Sequence, residues 1–225
     1  MSASSFLMSS RWATQTGSHA HPLQEALVHR LNQVLALLLL LLTSPLTVLI
    51  AFLIWQRDGA PILFAHYRVG KGGRLFRCMK FRTMRRDSEA ALAALLESDP
   101  QARAEWARDQ KLTNDPRITA IGRFLRTTSL DELPQLLNVV CGDMNLVGPR
   151  PITVSELTRY GRVRWHYLSV RPGITGLWQV SGRNSTSYDE RVALDRRYVE
   201  ARSLWVDATI LAKTVRVVAT REGAR

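Results

Sequence analysis

Asp131 and Glu132 stand side by side in Arg126-Thr-Thr-Ser-Leu-Asp-Glu-Leu-Pro-Gln135, and adjacent carboxylates can divide the work of a displacement at phosphorus. One acid attacks as a carboxylate nucleophile while its neighbour binds a metal or positions the first. The plainer alternative is a helix start, with Asp131 at or near an N-cap and Glu132 near the positive end of the helix dipole. Displacement at phosphorus also requires cations, because negative charge builds on the equatorial and leaving oxygens. Guanidinium forks and a hard ion such as magnesium answer that charge. Lys80, Arg82, Arg126, Arg150 and Arg183 are candidates for the surrounding shell, although each taken singly could equally be an exposed charge or a lipid contact. Arg150 has the better case, since Pro149 and Pro151 restrict its loop and restriction preorganises a side chain.

Other chemistries find less support. His166 has no His or Cys partner at metal-ligand spacing, and Ser181 and Ser185 belong to no nucleophile arrangement. Cys78 and Cys141 are too few and wrongly spaced for a metal site or a disulfide scaffold, which favours a reducing cytoplasmic setting. Gly70-Lys-Gly-Gly73 lacks the Walker and dinucleotide spacings and reads as a turn. Trp178 and Gln179 could contact a base or sugar, core packing being the plainer role for the ring.

The elements that position these residues must fit a chain of 225 residues that is 46% hydrophobic. That suffices for one well-cored domain plus an anchor, with two small domains left open. Thirty-one Lys and Arg against 19 Asp and Glu give a net charge of +12, which suits anionic lipid, nucleotide phosphate or nucleic acid. No nucleic-acid motif accompanies the charge, so no nucleic-acid partner is expected. A basic membrane scaffold or nucleic-acid binder without catalysis stays as the non-enzymatic alternative. Hydrolysis of an activated phosphate is a second enzymatic one, disfavoured because an anchor serves to position a lipid acceptor.

Residues 34–55 are almost continuously apolar and would extend about 30 Å as a straight helix, roughly a bilayer core. Ser44-Pro45 interrupts the run at its middle, where proline removes a backbone donor and serine can satisfy the freed carbonyl. A helix-break-helix hairpin and a kinked span are both open on these grounds. Arg11 and Arg30 precede the run, and Arg57, Arg68, Lys71, Arg74 and Arg77 follow it; the positive-inside bias, acting on both flanks, retains both ends in the cytoplasm. The run is too long and starts too late for a cleaved signal peptide. Residues 1–22 read as a flexible N-terminus, with an interfacial helix over 23–31.

Beyond the anchor, residues 61–69 and 74–82 predict a hairpin. Residues 87–97 and 100–111 predict two helices separated by Ser98-Asp99-Pro100, as a helical insertion with Trp106 as its buried anchor. A further helix is expected over 133–140, ended by Gly142. Two loops follow, Gly148-Pro-Arg-Pro151 and Arg171-Pro-Gly-Ile-Thr-Gly176, and then helices over 188–202 and 204–219. The fold class is mixed α/β and predominantly helical.

The ordered set Lys80-Phe-Arg-Thr-Met84, Asn114-Asp-Pro-Arg117, Thr128-Ser-Leu-Asp-Glu-Leu-Pro-Gln135, Gly142-Asp-Met-Asn-Leu-Val-Gly-Pro-Arg-Pro151, Arg171-Pro-Gly-Ile-Thr-Gly176 and Ser181-Gly-Arg183 resembles the bacterial sugar transferase family. These are the monotopic phosphoglycosyl transferases of surface-polysaccharide synthesis, and the likeness is to their small form. The resemblance implies a membrane-associated domain with a re-entrant helix-break-helix over 23–57 and a cytoplasmic transferase domain over 58–225, at the cytoplasmic face of the inner membrane. It implies transfer of a sugar-1-phosphate from a nucleotide diphosphate sugar, as a UDP-hexose, to polyprenol phosphate, commonly undecaprenyl phosphate, to initiate exopolysaccharide or related glycoconjugate synthesis. Asp131 matches the nucleophile that would carry an aspartyl-phosphosugar, and Glu132 its acidic partner, both associated with magnesium. Lys80, Arg126 and Arg150 match basic positions around the donor phosphates, with Arg82 and Arg183 weaker matches. Asp207 resembles a later family acid that supports catalysis or the metal. Residues 186–195 resemble exopolysaccharide hexose-1-phosphate transferases, with glucose and galactose both open. Anionic membrane lipids are expected as partners, and a homo-oligomer is left open.

Overall fold

The structure, a computed structural model, describes residues 22–109, 112–113, 115–182 and 186–220. Its first element, α1 (Pro22–Asp58), is one helix of 37 residues with Pro45 inside it. Proline cannot donate to the carbonyl four residues back, which here belongs to Leu41. The Ser44 hydroxyl donates to that same carbonyl at 2.8 Å, and Thr43 Oγ1 donates to the Leu39 carbonyl at 2.8 Å. The orphaned acceptor is thereby satisfied, and the helix runs through Ser44-Pro45 as a single element, where the residues left a hairpin and a kinked span both open.

One stripe of α1 packs on the rest of the chain along its whole length. Asn32, Ala36, Ile50 and Ile54 are buried, with Leu40, Thr43, Thr47 and Asp58 half-buried between and beyond them at helical spacing. The remaining circumference exposes Leu38, Leu41, Leu42, Val48, Leu49, Phe52 and Trp55. The helix is long and apolar enough to cross a membrane, its most apolar 18-residue stretch having a mean hydropathy of 2.7.

The hairpin forms as expected from β1 (Leu63–Val69) and β2 (Leu75–Phe81), antiparallel with Phe64 opposite Lys80 and Val69 opposite Leu75. The two insertion helices follow as α2 (Ser88–Ser98) and α3 (Pro100–Asp109). Asp99 Oδ1 accepts from the Gln101 and Ala102 amides at 2.8 and 3.1 Å, capping α3. Trp106 is half-buried, with the Arg117 guanidinium 4.9 Å from its ring centre.

Next come α4 (Ala120–Thr128), a single 3₁₀ turn (Leu130–Glu132) and α5 (Gln135–Val140). A parallel pair, β3 (Asn145–Val147) and β4 (Gly173–Thr175), is bridged in sequence by α6 (Val154–Arg159) and α7 (Arg164–Ser169). The chain then forms α8 (Tyr188–Ala201) and α9 (Leu204–Thr220). Capping boxes start α6 at Thr153 and α8 at Ser187. The main core gathers Ala36 of α1, Phe76 and Cys78 of β2, Leu136 and Val139 of α5, Tyr198 of α8, and Val206 and Ile210 of α9.

Candidate active site

The dyad lies in the 3₁₀ turn rather than at the start of the following helix. Thr119 Oγ1 caps α4 by accepting from the Gly122 amide at 3.0 Å. At its other end Ser129 takes a left-handed conformation, φ 58°, and stops the helix. Leu130, Asp131 and Glu132 then turn back, and Pro134 occupies the N-cap position of α5. Asp131 is therefore not the N-cap of α5, as the sequence suggested. The ring of Pro134 is accommodated by moving the helix start beyond it.

Lys80, near the end of β2, reaches both acids. Its Nζ is 2.7 Å from Glu132 Oε1 and 3.4 Å from Asp131 Oδ2. Burial opposes the Lys80 charge, but Glu132 and Asp131 outweigh it and hold its pKa above the ordinary lysine value, with Arg150 pulling the other way. Burial likewise pushes the Asp131 carboxyl up, Lys80 works against that push, and the Glu132 charge adds to it. A buried acid with two opposed neighbours is one whose ionisation the site controls.

Arg126, from the last turn of α4, donates from Nε to Thr83 Oγ1 at 2.9 Å. Burial lowers its pKa, and the charges of Asp131 and Asp115 favour its protonated form. Gly122 permits this approach, because a Cβ there would stand 2.0 Å from the Thr83 carbonyl oxygen. Arg150 is carried by a loop interlocked with β4. The Gly148 amide donates to Thr175 O, and the Gly173 amide donates to Pro149 O, both at 2.9 Å. Its guanidinium lies 5.4 Å from the centre of the Trp178 ring, within cation–π range.

The backing of this site is apolar and drawn from α1. Ile50 and Ile54 of α1 pack in one cluster with Phe81, Leu125, Leu130 and Leu133. Each of those four residues is next in sequence to Lys80, Arg126, Asp131 or Glu132.

Lys80, Asp131, Glu132, Arg126 and Arg150 thus act on one another. Arg82 has a different occupation. It is buried, and its Nη2 donates to the carbonyls of Asp58 and Gly59 at 2.8 and 2.7 Å, tying off the C-terminal end of α1. The charges acting on it are Arg86 and Asp58. Asp207 accepts from Tyr198 Oη at 2.8 Å at the α8–α9 junction, and burial pushes its pKa up to about 6. Arg183 and Ser185 lie outside the described residues. Ser44 and Pro45 are exposed on α1. Asp115, in the Asn114 motif, is paired with Arg117 at 2.7 Å.

A second polar network escaped the sequence reading. Glu156 pairs with Arg68 at 3.1 Å and Arg191 at 3.4 Å, while Tyr160 Oη donates to the buried Asp195 at 2.7 Å. The Arg191 guanidinium lies 4.9 Å from the Trp178 ring centre. The partners are 35 to 88 residues apart, and no local spacing announces them.

Among the described residues no group of three or more His, Cys, Asp or Glu side chains could hold a metal. Two adjacent carboxylates fit magnesium, which is commonly held by one or two acids together with substrate phosphates.

An acid pair bridged by a lysine, beside two arginines and against a long apolar helix, is built to receive an anion near a hydrophobic phase. The model of the bacterial sugar transferase family matches residues 23–221. The chain belongs to that family. It is 54% identical over 191 residues to an undecaprenyl-phosphate galactose phosphotransferase of Salmonella typhimurium, covering 85% of this chain and 40% of the relative. It is 47% identical to the exopolysaccharide production protein ExoY of Rhizobium meliloti, over 82% of each chain. A UDP-glucose:undecaprenyl-phosphate glucose-1-phosphate transferase of Escherichia coli is 38% identical over 81% of this chain and 38% of its own. The chain therefore spans about two-fifths of the length of the Salmonella and Escherichia relatives.

Proposed function

We propose that this protein transfers a sugar-1-phosphate from a nucleotide diphosphate sugar, a UDP-hexose, to undecaprenyl phosphate or a related polyprenol phosphate, initiating exopolysaccharide synthesis. The observation that carries the proposal is the contact of Lys80 with both Asp131 and Glu132 inside a shell completed by Arg126 and Arg150. The names of the relatives supply the substrate classes.

In this scheme an Asp131 carboxylate oxygen bonds to the phosphorus that bears the sugar. The bridging P–O bond of the donor breaks, and the nucleoside monophosphate leaves with the electron pair. An oxygen of the lipid phosphate then attacks the same phosphorus, breaks its bond to Asp131 and regenerates the carboxylate. Arg126 and Arg150 bind the donor's phosphate oxygens, and Lys80 holds the two acids together while opposing the burial that would protonate Asp131. Magnesium, held by Glu132 and Asp131, would supply further charge neutralisation on the donor phosphates.

The test is a panel of UDP-sugars given with magnesium, with and without polyprenol phosphate. Without acceptor, rapid quenching and intact-protein mass spectrometry should find a phosphosugar on Asp131, located by peptide mapping. Asp131→Asn should lose both adduct and transfer, and Glu132→Gln should lose transfer while labelling slowly. Full activity in Asp131→Asn would refute the nucleophile assignment. Free sugar phosphate undiminished by acceptor lipid would make the protein a hydrolase.

We also propose a monotopic, re-entrant seating on the cytoplasmic leaflet, with α1 bending at Pro45 while its hydrogen-bonded run continues. A helix of 37 residues is about 55 Å long, well beyond a bilayer core of about 30 Å. Both of its ends hold the same domain: Glu25, in the first turn, pairs with Lys71, and Asp58 O accepts from Arg82 at 2.8 Å. Ends bound to one domain favour entry and exit on one side. A reporter at Ser18 should be inaccessible from outside intact cells, and external labelling there beside a cytoplasmic C-terminal control would reject the topology.

A further inference from the structure

A cationic cleft of about 560 Å³ opens at the far end of β2 and α5 from the dyad, between the start of α1 and Gly142. Arg74, which contributes to it, precedes β2, whereas Lys80 lies near that strand's other end; six residues of strand are about 20 Å. The catalytic groups are therefore remote from this cleft.

Its walls carry three guanidinium groups, those of Arg30, Arg74 and Arg171. The one acid in the lining, Glu25, is engaged by Lys71, and this pairing holds its carboxyl below the usual range. Arg171 is fixed by its Nε donating to Gly142 O at 2.9 Å, and Arg30 by a 3.2 Å bond to Gln33 Oε1. Both leave further N–H donors, and Arg74 is exposed. Three arginines lining one cleft with their local acid already paired make a site for a phosphate.

The cleft also holds one acceptor. His29 Nδ1 lies 3.2 Å from Asn145 Oδ1, an oxygen that can only accept, and this contact favours the tautomer with the proton on Nδ1. The other ring nitrogen, Nε2, then presents a lone pair, and it faces Gly142 closely enough to meet a Cβ built there at 3.2 Å. Burial holds the ring below the ordinary histidine pKa, which favours its neutral form. A lone pair beside three cations suits a hydroxyl next to the phosphate.

We infer that this cleft is a second anion site, which binds a phosphate ester bearing a free hydroxyl, as in a phosphoglycerol lipid head group or soluble glycerol phosphate. Only the lipid source rests on the membrane seating proposed above, for α1 carries exposed Leu23 and Leu27 beside the cleft.

Cys141 lines the cleft and is exposed, whereas Cys78 is buried, so alkylation by the neutral reagent N-ethylmaleimide reads occupancy at one position. The full chain is placed in nanodiscs of phosphatidylcholine, of phosphatidylcholine with one-third phosphatidylglycerol, or of phosphatidylcholine with added glycerol 1-phosphate. Occupancy should slow Cys141 labelling at least five-fold. Slowing by phosphatidylglycerol alone assigns the lipid, and slowing by glycerol phosphate assigns the soluble ester. Arg74→Gln should raise the half-protective concentration about ten-fold, the loss of one charge-assisted contact, while Arg162→Gln, on another exposed turn, should leave it unchanged. Labelling indifferent to every addition, or protection equal in Arg74→Gln, would overturn the site. The readout involves no sugar transfer, so its failure is separable from failure of the proposed reaction.

Discussion

Replacing Lys80 with methionine tests how the dyad is kept reactive. The substitution preserves most of the stem and removes the charge that lies 3.4 Å from Asp131 and 2.7 Å from Glu132. At an effective dielectric constant of about 20, a unit charge at that longer distance is worth at most about 5 kcal/mol. The Lys80 side chain keeps 29% of its exposure, and solvent reduces the figure to about 2 kcal/mol, or about 1.5 pKa units. The direction follows from the carboxyl: burial and Glu132 already raise the Asp131 pKa, and Lys80 is the largest influence holding it down. Without Lys80 a smaller fraction of Asp131 is ionised at any given pH. The acid limb of the pH profile for nucleoside monophosphate release should therefore move up by 1 to 2 units, with a loss of about 30-fold on the acid side of the profile that shrinks as pH rises. Single-turnover release measured across the pH range checks this. An unshifted acid limb, whatever the loss of rate, would refute the reasoning and place Lys80 on the substrate phosphates instead.

Gly173→Ala should be severe, because a Cβ there would stand 2.0 Å from the Gly148 amide nitrogen. Displacing that backbone costs about 3 kcal/mol or more, and the assay is thermal midpoint and yield of folded protein. Asp207→Asn should leave transfer within a few-fold of the parent, since its recorded partner is Tyr198 and not the dyad. The sign of its pH effect is fixed by a folded pKa of about 6 against an ordinary 3.8. The folded state binds the proton more tightly, so the parent loses stability as pH rises through that window, by up to about 3 kcal/mol and nearer 1 to 2 for a half-buried group. The variant should equal or exceed the parent in thermal midpoint at pH 8, with the gap closing near pH 4. A transfer loss beyond ten-fold would make Asp207 a participant in the reaction.

The local elements were legible wherever short-range chemistry decides them. The β1–β2 hairpin, the Asp99 cap, the Gly142 stop and the two C-terminal helices all follow from glycine, proline and capping residues read in place. The serine's role was legible too, since Ser44 reaches the very carbonyl that Pro45 orphans. Its consequence was not, because satisfying the acceptor lets the hydrogen-bonded run continue through the proline, whose ring still favours a bend there. The turn at Asp131 depends on Ser129 adopting a left-handed conformation, which serine does not advertise. Arg82 was indistinguishable from Lys80 in a basic motif until the end of α1 supplied carbonyls to bind it. Arg68, Glu156 and Arg191 meet only through tertiary packing.

The apolar helix α1 and the polar site are one construction. Phe81, Leu125, Leu130 and Leu133 face Ile50 and Ile54 of α1, and the residues beside them in the chain are Lys80, Arg126, Asp131 and Glu132. On a strand successive residues point to opposite faces, and on a helix they diverge by about 100°, so burying Phe81 or Leu125 against α1 turns Lys80 or Arg126 away from it. The spacing between the Lys80 ammonium and the two carboxylates is consequently set by how β2 and the 3₁₀ turn seat on the second half of α1, with Leu133 joining that cluster to the main core. Close packing transmits displacement rather than absorbing it. A helix seated in the membrane surface would therefore fix the dyad relative to the bilayer, and the depth of Ile50 and Ile54 would decide how far a lipid phosphate has to travel to reach Asp131.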